Sequence, residues 1–408
     1  MGVATRELDA ATAYRPLIQI APMMEVTYKD FRQFMRVFTK RTQLWTEMFV
    51  DNTVCNAQNI DAELEFGSNE HPIVCQLGGS NPESLARAAR KVAEQGYDEI
   101  NLNCGCPSDR VAGKGEFGAS LMKNPELVRD CVRSIADAVN LPVTVKCRLG
   151  VDDLDSPEFT ANFVRVVAEG GVKHFIIHAR KCILKGLTPD QNRKIPPLMY
   201  ERVYLLCKEF PHLEFSLNGG INTLREARHI LDAAPANLVG VMIGRAALAN
   251  PCVLWDADSF IFDSPPPEAP ATRRSILEAY ERYLAEEHPP GSSAATSPGP
   301  GPCLGALKPI IGVFFGVPGN KILRQGIEKL CREKDVRAQG PGGVLRRCIE
   351  LLAEDAKASI HLDEPLPTAD AAAKALEARA DTAPMDVASP QGAVVPLEVA
   401  ARPAVQNE

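Results

Sequence analysis

The loop at residues 103–108, with the sequence NCGCPS, contains two thiols that could take part in proton transfer. A thiol placed beside a substrate can donate a proton to a carbanion that forms on that substrate. Cys106 is the candidate acid, and Cys104 is the alternative thiol nearby. Because a free cysteine usually acts only as a small hydrophobic side chain, the position of this loop in the fold must decide between the two roles.

Two glycine-containing segments suit the binding of an anionic group. Asn218-Gly219-Gly220 and Gly244-Arg245 each follow a short apolar run. Glycine amides can approach a phosphate group closely, and an arginine can pair with it. Each segment alone could equally be a plain turn. If the fold brings the two segments together, they predict a site for a phosphorylated ligand such as flavin mononucleotide (FMN).

A lysine and a histidine lie near the ends of two other apolar runs. An ammonium group buried without a partner is costly, so Lys146 predicts an anionic partner. That partner is either a flavin that becomes anionic on reduction or a carboxylate of the protein, for example Glu47. His178 is either a core histidine with satisfied hydrogen bonds or a residue that contacts a ligand.

Short apolar runs alternate with longer helical patterns between residues 17 and 249. The runs predicted to be strands lie at 17–21, 44–48, 73–77, 99–103, 143–147, 174–178, 214–217 and 240–243. Three helical patterns begin with a capping residue followed by proline and an acid, at Asn81, Asn124 and Ser156. Strands that are apolar on both faces and are followed by helices indicate a parallel sheet. Eight such repeats predict an α/β fold, a (β/α)8 TIM barrel.

The alternative to a closed barrel is a doubly wound open sheet. No G-x-G-x-x-G motif follows the first predicted strand, which argues against a dinucleotide-binding domain of that kind. In a barrel the active site lies at the C-terminal ends of the strands, and the loops after the last two strands commonly bind phosphate. The candidate residues fall at these ends: Pro22, Met23, Met24, Glu47, Gln76, Asn103, Lys146, His178, Asn218, Gly219, Gly220, Gly244 and Arg245.

The chain divides into four predicted segments. An N-terminal extension covers residues 1–16, and the barrel covers residues 17–262. A small all-helical domain covers residues 263–362 and includes a low-complexity insertion at 288–302, which we expect to be flexible. Residues 363–408 are rich in Ala and Pro, and we expect them to form a disordered tail.

The composition excludes several classes of protein. No apolar run approaches the roughly 20 residues that cross a bilayer, so we expect no membrane association. The 12 cysteines include no C-x2-C pair, so no metal site is predicted, and reduced thiols are typical of intracellular proteins. The N-terminal residues lack an apolar signal core. We therefore expect a cytoplasmic protein, with an organelle left open, and a monomer.

Several motifs together resemble one family, the tRNA-dihydrouridine synthases. The motifs are NCGCPSDRV, APMM, TEMF, VCQLGG, VTVKCRLG, FIIHARK, GLTPDQNRKIPPL and SLNGGI. Within the family the sequence is most similar to the A-type enzymes, which act on D-loop uridines 20 and 20a. The resemblance implies an FMN-bound barrel followed by a helical tRNA-binding domain. Reduced flavin would pass a hydride to C6 of an extruded uracil, a loop cysteine would give a proton to C5, and NADPH or NADH would reduce the flavin again.

The resemblance also implies a role for each matching residue. Cys106 occupies the position of the acid, and Asn103 lies against the substrate base. The segment that contacts RNA after the sixth strand maps onto Asn192 and Arg193. The residues implied to hold FMN are Pro22, Met23 and Met24 in the first loop, Gln76, Lys146 and His178 at the isoalloxazine and ribityl parts, and Asn218, Gly219, Gly220, Gly244 and Arg245 at the phosphate end.

The helical domain provides the remaining candidates for contact with tRNA. Residues 303–357 contain ten basic and six acidic side chains, although the whole chain has a formal net charge of −7. Such a segment could contact phosphates and help to meet the cost of extruding a base, with an affinity that falls as salt rises. Lys321 and Arg324 are the first candidates, with Arg346 and Arg347 beside them. The alternative for each is a solvated helix face.

Two rival functions remain open at this stage. A flavin oxidoreductase that acts on a free dihydropyrimidine or dihydroorotate would use the same barrel but would not need the basic helical segment. A catalytically silent RNA-binding protein would not need Cys106. Reduction of a free base without reduction of tRNA would favour the first rival, and a colourless protein would favour the second.

Overall fold

The computed structural model describes residues 16–108, 117–297, 299–369 and 371. In this part of the chain, eight strands form one parallel sheet in the order β1-β8-β7-β6-β5-β4-β3-β2. The strands are β1 (Ile18–Ile20), β2 (Leu44–Val50), β3 (Ile73–Gly78), β4 (Glu99–Cys104), β5 (Val143–Arg148), β6 (His174–His178), β7 (Glu214–Asn218) and β8 (Leu238–Ile243). Each predicted strand overlaps an observed one, and the largest shift at a strand start is at β8, which begins two residues earlier than predicted.

Contacts between the first two strands close the sheet into a barrel. A parallel bridge joins Gln19 of β1 to Gln43, the residue before β2. The Ile20 N–H donates to the Gln43 carbonyl at 2.9 Å, and the Gln43 N–H donates to the Ile18 carbonyl at 3.0 Å. An open sheet would leave these groups unpaired at its edges. The predicted TIM barrel is therefore confirmed, and the doubly wound alternative is wrong.

Helices cover the outside of the barrel. They are α1 (Lys29–Phe38), α2 (Asp51–Asn56), α3 (Ile60–Glu63), α4 (Pro82–Glu94), α5 (Pro125–Ala138), α6 (Pro157–Ala168), α7 (Tyr200–Glu209), α8 (Leu224–Ala233), α9 (Arg245–Ala249) and α10 (Ala257–Phe260). Asn81, Asn124 and Ser156 cap α4, α5 and α6, each accepting a hydrogen bond from a backbone N–H of the first turn. The capping signals in the sequence therefore predicted these three helix starts correctly.

After the barrel, the chain forms a helical domain that packs against α1. Its helices are α11 (Arg273–Glu287), α12 (Ser293–Thr296), α13 (Gly301–Leu307), α14 (Asn320–Arg332), α15 (Lys334–Arg337), α16 (Gly340–Glu354) and α17 (Ala358–Asp363). The rings of Tyr280 and Phe34 lie 4.8 Å apart between their centroids. The Tyr28 hydroxyl donates to the Gly305 carbonyl at 2.8 Å, and Lys308 Nζ donates to the Glu25 carbonyl at 2.7 Å. The domain is thus fixed beside the loop that follows β1.

The insertion at residues 288–302 differs from its prediction as a flexible segment. It contains the short helix α12, in which Ala294 and Ala295 are buried. At its start, the His288 ring forms a hydrogen bond with Asp30 Oδ1 of the barrel at 3.0 Å. Composition alone suggested a segment without a core, because small alanine side chains add little hydrophobic surface. They can nevertheless pack closely where a neighbouring surface is available.

The start of the predicted tail is also corrected by the structure. Leu366 is buried, and its N–H donates to the Ala271 carbonyl at 2.8 Å. Trp255 Nε1 donates to the Pro367 carbonyl at 2.7 Å, and the Ala369 N–H donates to Asp256 Oδ2 at 2.7 Å. Residues 364–369 therefore pack against the barrel and the linker. The rest of the predicted tail, residues 372–408, and most of the N-terminal extension, residues 1–15, lie outside the described residues.

Among the residues described, no helix is both long and apolar enough to span a bilayer. The same residues contain no group of three or more His, Cys, Asp or Glu side chains arranged to bind a metal ion.

Candidate active site

The strand register brings the candidate residues to one rim of the barrel. Asn103 of β4 pairs with Lys146 of β5 in the ladder. Arg148, two residues later on β5, pairs with His178 of β6, which in turn pairs with Asn218 of β7. Successive strands therefore present polar side chains at the same level, at the C-terminal ends where barrel enzymes place their active sites.

Asn103 holds the loop that carries Cys106. Its side-chain oxygen accepts hydrogen bonds from the backbone N–H groups of Gly105 and Cys106, at 3.0 and 2.9 Å. On the other side of the loop, the Cys106 carbonyl accepts from the Ala119 N–H at 3.0 Å. The short side chain of Asn103 thus fixes the backbone of the candidate acid from within the same strand end.

The two thiols of this loop have different surroundings. Cys104 is fully buried in the hydrophobic core, and burial raises its pKa well above the usual value. Cys106 is only partly buried in the structure, and burial raises its pKa while the charges of Arg148, Arg193 and Lys146 oppose that rise. Cys106 is therefore the thiol that is both protonated near neutral pH and accessible from the rim.

Lys146 has no carboxylate partner in the described part of the chain. Its Nζ donates to Asn218 Oδ1 at 3.1 Å, and Asn218 Nδ2 donates to the Met242 carbonyl at 2.8 Å. Glu47, the carboxylate named as a possible partner, instead accepts from the Glu25 N–H. Burial, together with the nearby charge of Arg148, lowers the pKa of Lys146 to about 8. Among the described residues, the ammonium group therefore has no counter-ion at the rim.

Arg148 is a site residue that the sequence analysis missed. Its side chain is buried, and burial lowers its pKa. Its guanidinium donates to the carbonyl of Gly105 at 2.9 Å and to those of Lys181 and Asn192 at 3.2 and 3.0 Å. It thus ties the Cys106 loop to the segment that follows β6. The available signal was its spacing, because a residue two positions after Lys146 on a strand points to the same side.

Three further arginines surround His178 on the same rim. Burial and the charges of Arg148, Lys146, Arg180 and Arg245 hold the pKa of His178 well below its usual value, so its ring is neutral. Arg245 Nη2 donates to the Arg193 carbonyl at 3.0 Å. The Nε atoms of Arg180 and Arg193 are buried without a hydrogen-bond partner among the described residues. The rim therefore has donors to spare for an anionic ligand.

The glycines after β7 are required by the backbone as well as by space. Gly219 and Gly220 have φ angles of 118° and 75°, which favour glycine. A Cβ atom at Gly219 would lie 2.9 Å from His178 Cδ2, and one at Gly220 would lie 2.5 Å from Leu198 Cδ1. A turn alone thus explains this pair, and their predicted contact with phosphate stays a prediction. Gly244 is less constrained, since its Cβ would meet only Ala21 Cβ at 3.5 Å.

The first loop reaches the same rim through its backbone. The Met23 N–H donates to Thr27 Oγ1 at 3.0 Å, and this hydroxyl donates to the Met23 carbonyl at 3.2 Å. Pro22 and Met23 are half-buried, and Met24 is 58% exposed. Their predicted contact with the flavin stays a prediction.

Two predicted contact residues, Gln76 and Asn192, are buried and bond neighbouring protein groups. Gln76 is 1% exposed, and its amide bonds Asn101 and Asn103, so it lies beneath the rim rather than on it. Asn192 is fully buried, and its amide group bonds the backbone of Ile183, Leu187 and Thr188. The Asn192 side chain therefore shapes the loop, and its predicted contact with RNA stays a prediction. Sequence spacing identified the segment but could not show which side chains turn inward.

The basic residues predicted in the helical domain are not part of the rim. Lys321 and Arg324 are exposed on α14, and neither has a carboxylate within 4.0 Å among the described residues. Arg346, in contrast, pairs with Glu281 at 2.5 Å, and Arg347 pairs with Glu350 at 2.5 Å. Of the four predicted phosphate contacts, only the first two have free charge.

A phosphorylated flavin fits this donor set. Lys146, Arg180, Arg193 and Arg245 supply positive charge, and the buried Nε atoms of Arg180 and Arg193 lack acceptors. An anionic group would provide both the counter-charge and the missing acceptors. Cys106 stands at the same rim with its proton in place.

The chain is similar to known proteins of one family. The family model described as "Dihydrouridine synthase (Dus)" matches residues 19–290. The chain is 43% identical over 314 residues to a tRNA-dihydrouridine(20/20a) synthase of Vibrio vulnificus, covering 76% of this chain and 90% of that protein. It is 41% identical over 350 residues to one of Salmonella typhimurium, covering 85% and 97%. Among solved structures, an old yellow enzyme homologue from Zymomonas mobilis aligns with a TM-score of 0.43 and 13% identity over 61% of this chain and 89% of that one.

Proposed function

The chain belongs to the dihydrouridine synthase family, and on that premise we propose that it reduces uridine to 5,6-dihydrouridine in the D-loop of tRNA, at positions 20 and 20a. The cofactor is FMN, and NADPH or NADH is the reductant. The observation that carries the proposal is the placement of a protonated, accessible thiol, Cys106, on a rim where the half-buried Lys146 has no carboxylate partner among the described residues.

The rim residues would hold the cofactor by charge and hydrogen bonding. Lys146 would donate to the isoalloxazine, and its charge would stabilise the anionic form that reduction produces. Arg245 and the amides of Gly219, Gly220 and Gly244 would hold the phosphate end. When it is bound and reduced, FMN supplies the hydride that reaches C6 of the uracil.

Cys106 supplies the proton in this proposal. Its raised pKa keeps the proton on Sγ until a carbanion develops at C5 of the base. The pKa of His178 lies well below its usual value, so its neutral ring carries no imidazolium proton that could compete with the Cys106 thiol. Asn103 retains one N–H of its amide beyond the bond to Gln76, and this hydrogen would orient the uracil.

Two groups of basic residues would bind the RNA. Arg193, 43% exposed beside Arg245, lies where an extruded nucleotide would enter the rim. Lys321 and Arg324 on α14 would contact the phosphate backbone and help to offset the cost of unstacking the base, which is a few kcal/mol. Both contacts predict an affinity that falls as salt is raised.

The two half-reactions test the proposal separately. NADPH added without oxygen should bleach the visible flavin absorbance of the purified protein, and unmodified tRNA should restore it. The variant Cys106→Ala should still be bleached by NADPH, but tRNA should restore its absorbance at least about 100-fold more slowly. Cys104→Ala is the matched control, and it should behave like the wild type because that thiol is buried away from the rim.

Two outcomes would count against this function. Recovery of the absorbance at wild-type rate in Cys106→Ala would move the acid to another residue. Recovery with free uracil but not with tRNA would identify a free-base oxidoreductase instead.

A further inference from the structure

A continuous series of hydrogen-bonded polar side chains runs through the barrel interior, from the C-terminal ends of the strands at the rim to their N-terminal ends. It consists of Asn103, Gln76, Asn101, Thr144 and Glu99, in that order. The four hydrogen bonds measure 2.8, 2.9, 2.9 and 2.5 Å from rim to floor. Gln76, Asn101, Thr144 and Glu99 are all buried. Barrel interiors are usually filled by branched apolar side chains, so this set requires an explanation.

The direction of each hydrogen bond in this series can be read from its upper end. The backbone N–H groups of Gly105 and Cys106 can only donate, so the atom of Asn103 that they meet is the oxygen. The Asn103 amide nitrogen therefore faces Gln76 and meets its oxygen. The same reasoning then places the Gln76 nitrogen against the Asn101 oxygen.

The lower end of the chain needs a group that only accepts. The Asn101 nitrogen donates to Thr144 Oγ1, so the Thr144 hydroxyl must pass its hydrogen onward. It donates to Glu99 Oε1 at 2.5 Å. A carboxylate is the side chain that accepts without donating. Gln43 Nε2 donates to the other oxygen, Glu99 Oε2, at 3.4 Å.

Burying a carboxylate at this position works against its ionised form. The pKa of Glu99 is raised to about 7, because burial and the charges of Asp98 and Glu214 outweigh the hydrogen bonds from Thr144 and Gln43. A buried acid with this cost is retained where the network it completes has a role. The network reaches one functional group, the backbone of Cys106.

We propose that Glu99 and Thr144 are positioning residues for the reaction: the Glu99 carboxylate sets the direction of the hydrogen-bond chain through which Asn103 holds the Cys106 loop. The inference rests on the proposed function only in that Cys106 is the acid. Neither residue touches substrate or cofactor. Both act by keeping the Asn103 oxygen turned toward the loop and its remaining N–H turned toward the base.

The substitution Thr144→Val interrupts this series of hydrogen bonds by removing one atom, Thr144 Oγ1. Valine has nearly the same shape, but it leaves the Asn101 nitrogen without its acceptor. Asn101, Gln76 and Asn103 can then rotate their amides, and the Cys106 loop loses its fixed acceptor. The conservative variant Thr144→Ser keeps the hydroxyl and should restore the wild-type behaviour.

A second buried hydroxyl provides a matched control. Ser216 accepts from Gln19 Nε2 at 3.0 Å and bonds the His174 ring at 2.8 Å, also inside the barrel. Its contacts do not lead to the Cys106 loop. Ser216→Ala therefore removes a similarly buried hydroxyl that has two hydrogen-bond partners, but it leaves the hydrogen bonds between Asn103 and Glu99 in place.

The experiment measures the Cys106 loop directly as well as the reaction. FMN-saturated holoenzyme is treated with iodoacetamide, and the alkylation rate of the Cys106 peptide is followed by mass spectrometry. In Thr144→Val this rate should rise about fivefold, and kcat for tRNA should fall about tenfold with KM unchanged, because loop positioning and not tRNA binding is lost. Thr144→Ser and Ser216→Ala should match the wild type in alkylation rate.

Several results would overturn the proposal. Unchanged alkylation and kcat in Thr144→Val would do so, and so would an equal change in Ser216→Ala. If Thr144→Val does not fold, Glu99→Gln serves instead, because its amide must turn a donor toward either Thr144 or Gln43; a wild-type alkylation rate there also refutes the proposal. Absence of any dihydrouridine from wild-type enzyme would refute the proposed function, whereas the alkylation result would still stand or fall by itself.

Discussion

The basic side chains at the barrel rim and those in the helical domain have different partners. At the rim, Lys146 bonds an amide oxygen and Arg148 bonds three backbone carbonyls. In the helical domain, Arg274 pairs with Asp363 at 2.5 Å and Arg346 pairs with Glu281 at 2.5 Å. Neutral acceptors position a cation but leave its charge in place, whereas a carboxylate cancels it.

The difference shows why a count of basic residues is a poor guide to binding. The helical segment has the larger excess of basic residues in the sequence, yet many of them are neutralised in place. The rim has fewer cations, but they lie partly buried, where charges interact more strongly than at the surface. We therefore expect the rim to dominate affinity for the cofactor, and the helical domain to add a small, salt-sensitive share to tRNA binding.

Removal of the rim lysine should have the largest effect. Lys146→Met should weaken FMN binding about 10- to 100-fold, because a charged, partly buried donor is lost. Lys329→Met is the matched control, since Lys329 is 78% exposed and lies 3.8 Å from Glu333. Titration of flavin-free protein with FMN measures both. Equal affinities of the two variants for FMN would show that Lys146 does not contribute to the cofactor site.

A carboxylate added at the rim would pair with Lys146, as carboxylates pair with arginines in the helical domain. Asn218→Asp changes few atoms but places a negative charge at the position 3.1 Å from Lys146 Nζ. An ion pair should form, and FMN affinity should fall about tenfold because the charge is cancelled. The thermal midpoint of the flavin-free protein measures the balance between this ion pair and the loss of the hydrogen bond from Asn218 Nδ2 to the Met242 carbonyl. Undiminished FMN affinity would contradict the role given to the unpaired charge.

The pH dependence of FMN binding should sharpen the same point. The pKa of Lys146 is lowered to about 8, so the side chain is charged below pH 7 and loses its proton as the pH rises through 8. Binding of an anionic ligand should therefore be constant from pH 6 to 7 and weaken about fourfold by pH 8.5. Lys146→Met should lack this dependence. A binding constant that improves above pH 8 would reverse the assignment.

Substitutions in the helical domain should have the smallest effects. Lys321→Ala and Arg324→Ala should each weaken tRNA binding about threefold. Each should also reduce the slope of the logarithm of the binding constant against the logarithm of salt concentration by about one. Arg347→Ala should change the affinity for tRNA less than twofold, because the Arg347 guanidinium already forms an ion pair with Glu350. Filter binding at several salt concentrations compares them. A larger loss in Arg347→Ala than in Lys321→Ala would show that the pairing does not govern RNA contact.

The sequence predicted the barrel because its signals are local. Apolar runs, proline at the first helical position and capping residues such as Asn81 and Asn124 act within a few residues of the chain. The placement of Cys106, Lys146 and His178 on one rim follows from strand ends alone. These parts could be predicted without the structure.

The rest depends on contacts between distant residues. Asn192 looks like a polar surface residue in sequence, but it is buried by its own loop. Spacing could suggest that Arg148 faces the same side as Lys146, but its loop acceptors, and the Thr144 hydroxyl that donates to Glu99, are visible only in the structure. The 288–302 segment contacts the barrel through a hydrogen bond between His288 and Asp30, which is more than 250 residues away in the sequence.

Site-specific mapping of dihydrouridine tests the central claim most directly. Unmodified tRNA is incubated with the purified protein, FMN and NADPH, then digested and analysed by mass spectrometry. The account predicts a gain of two mass units at D-loop uridines 20 and 20a with the wild type, and none with Cys106→Ala. A wild-type protein that retains its flavin and is reduced by NADPH, yet leaves every uridine of the tRNA unchanged, would contradict it.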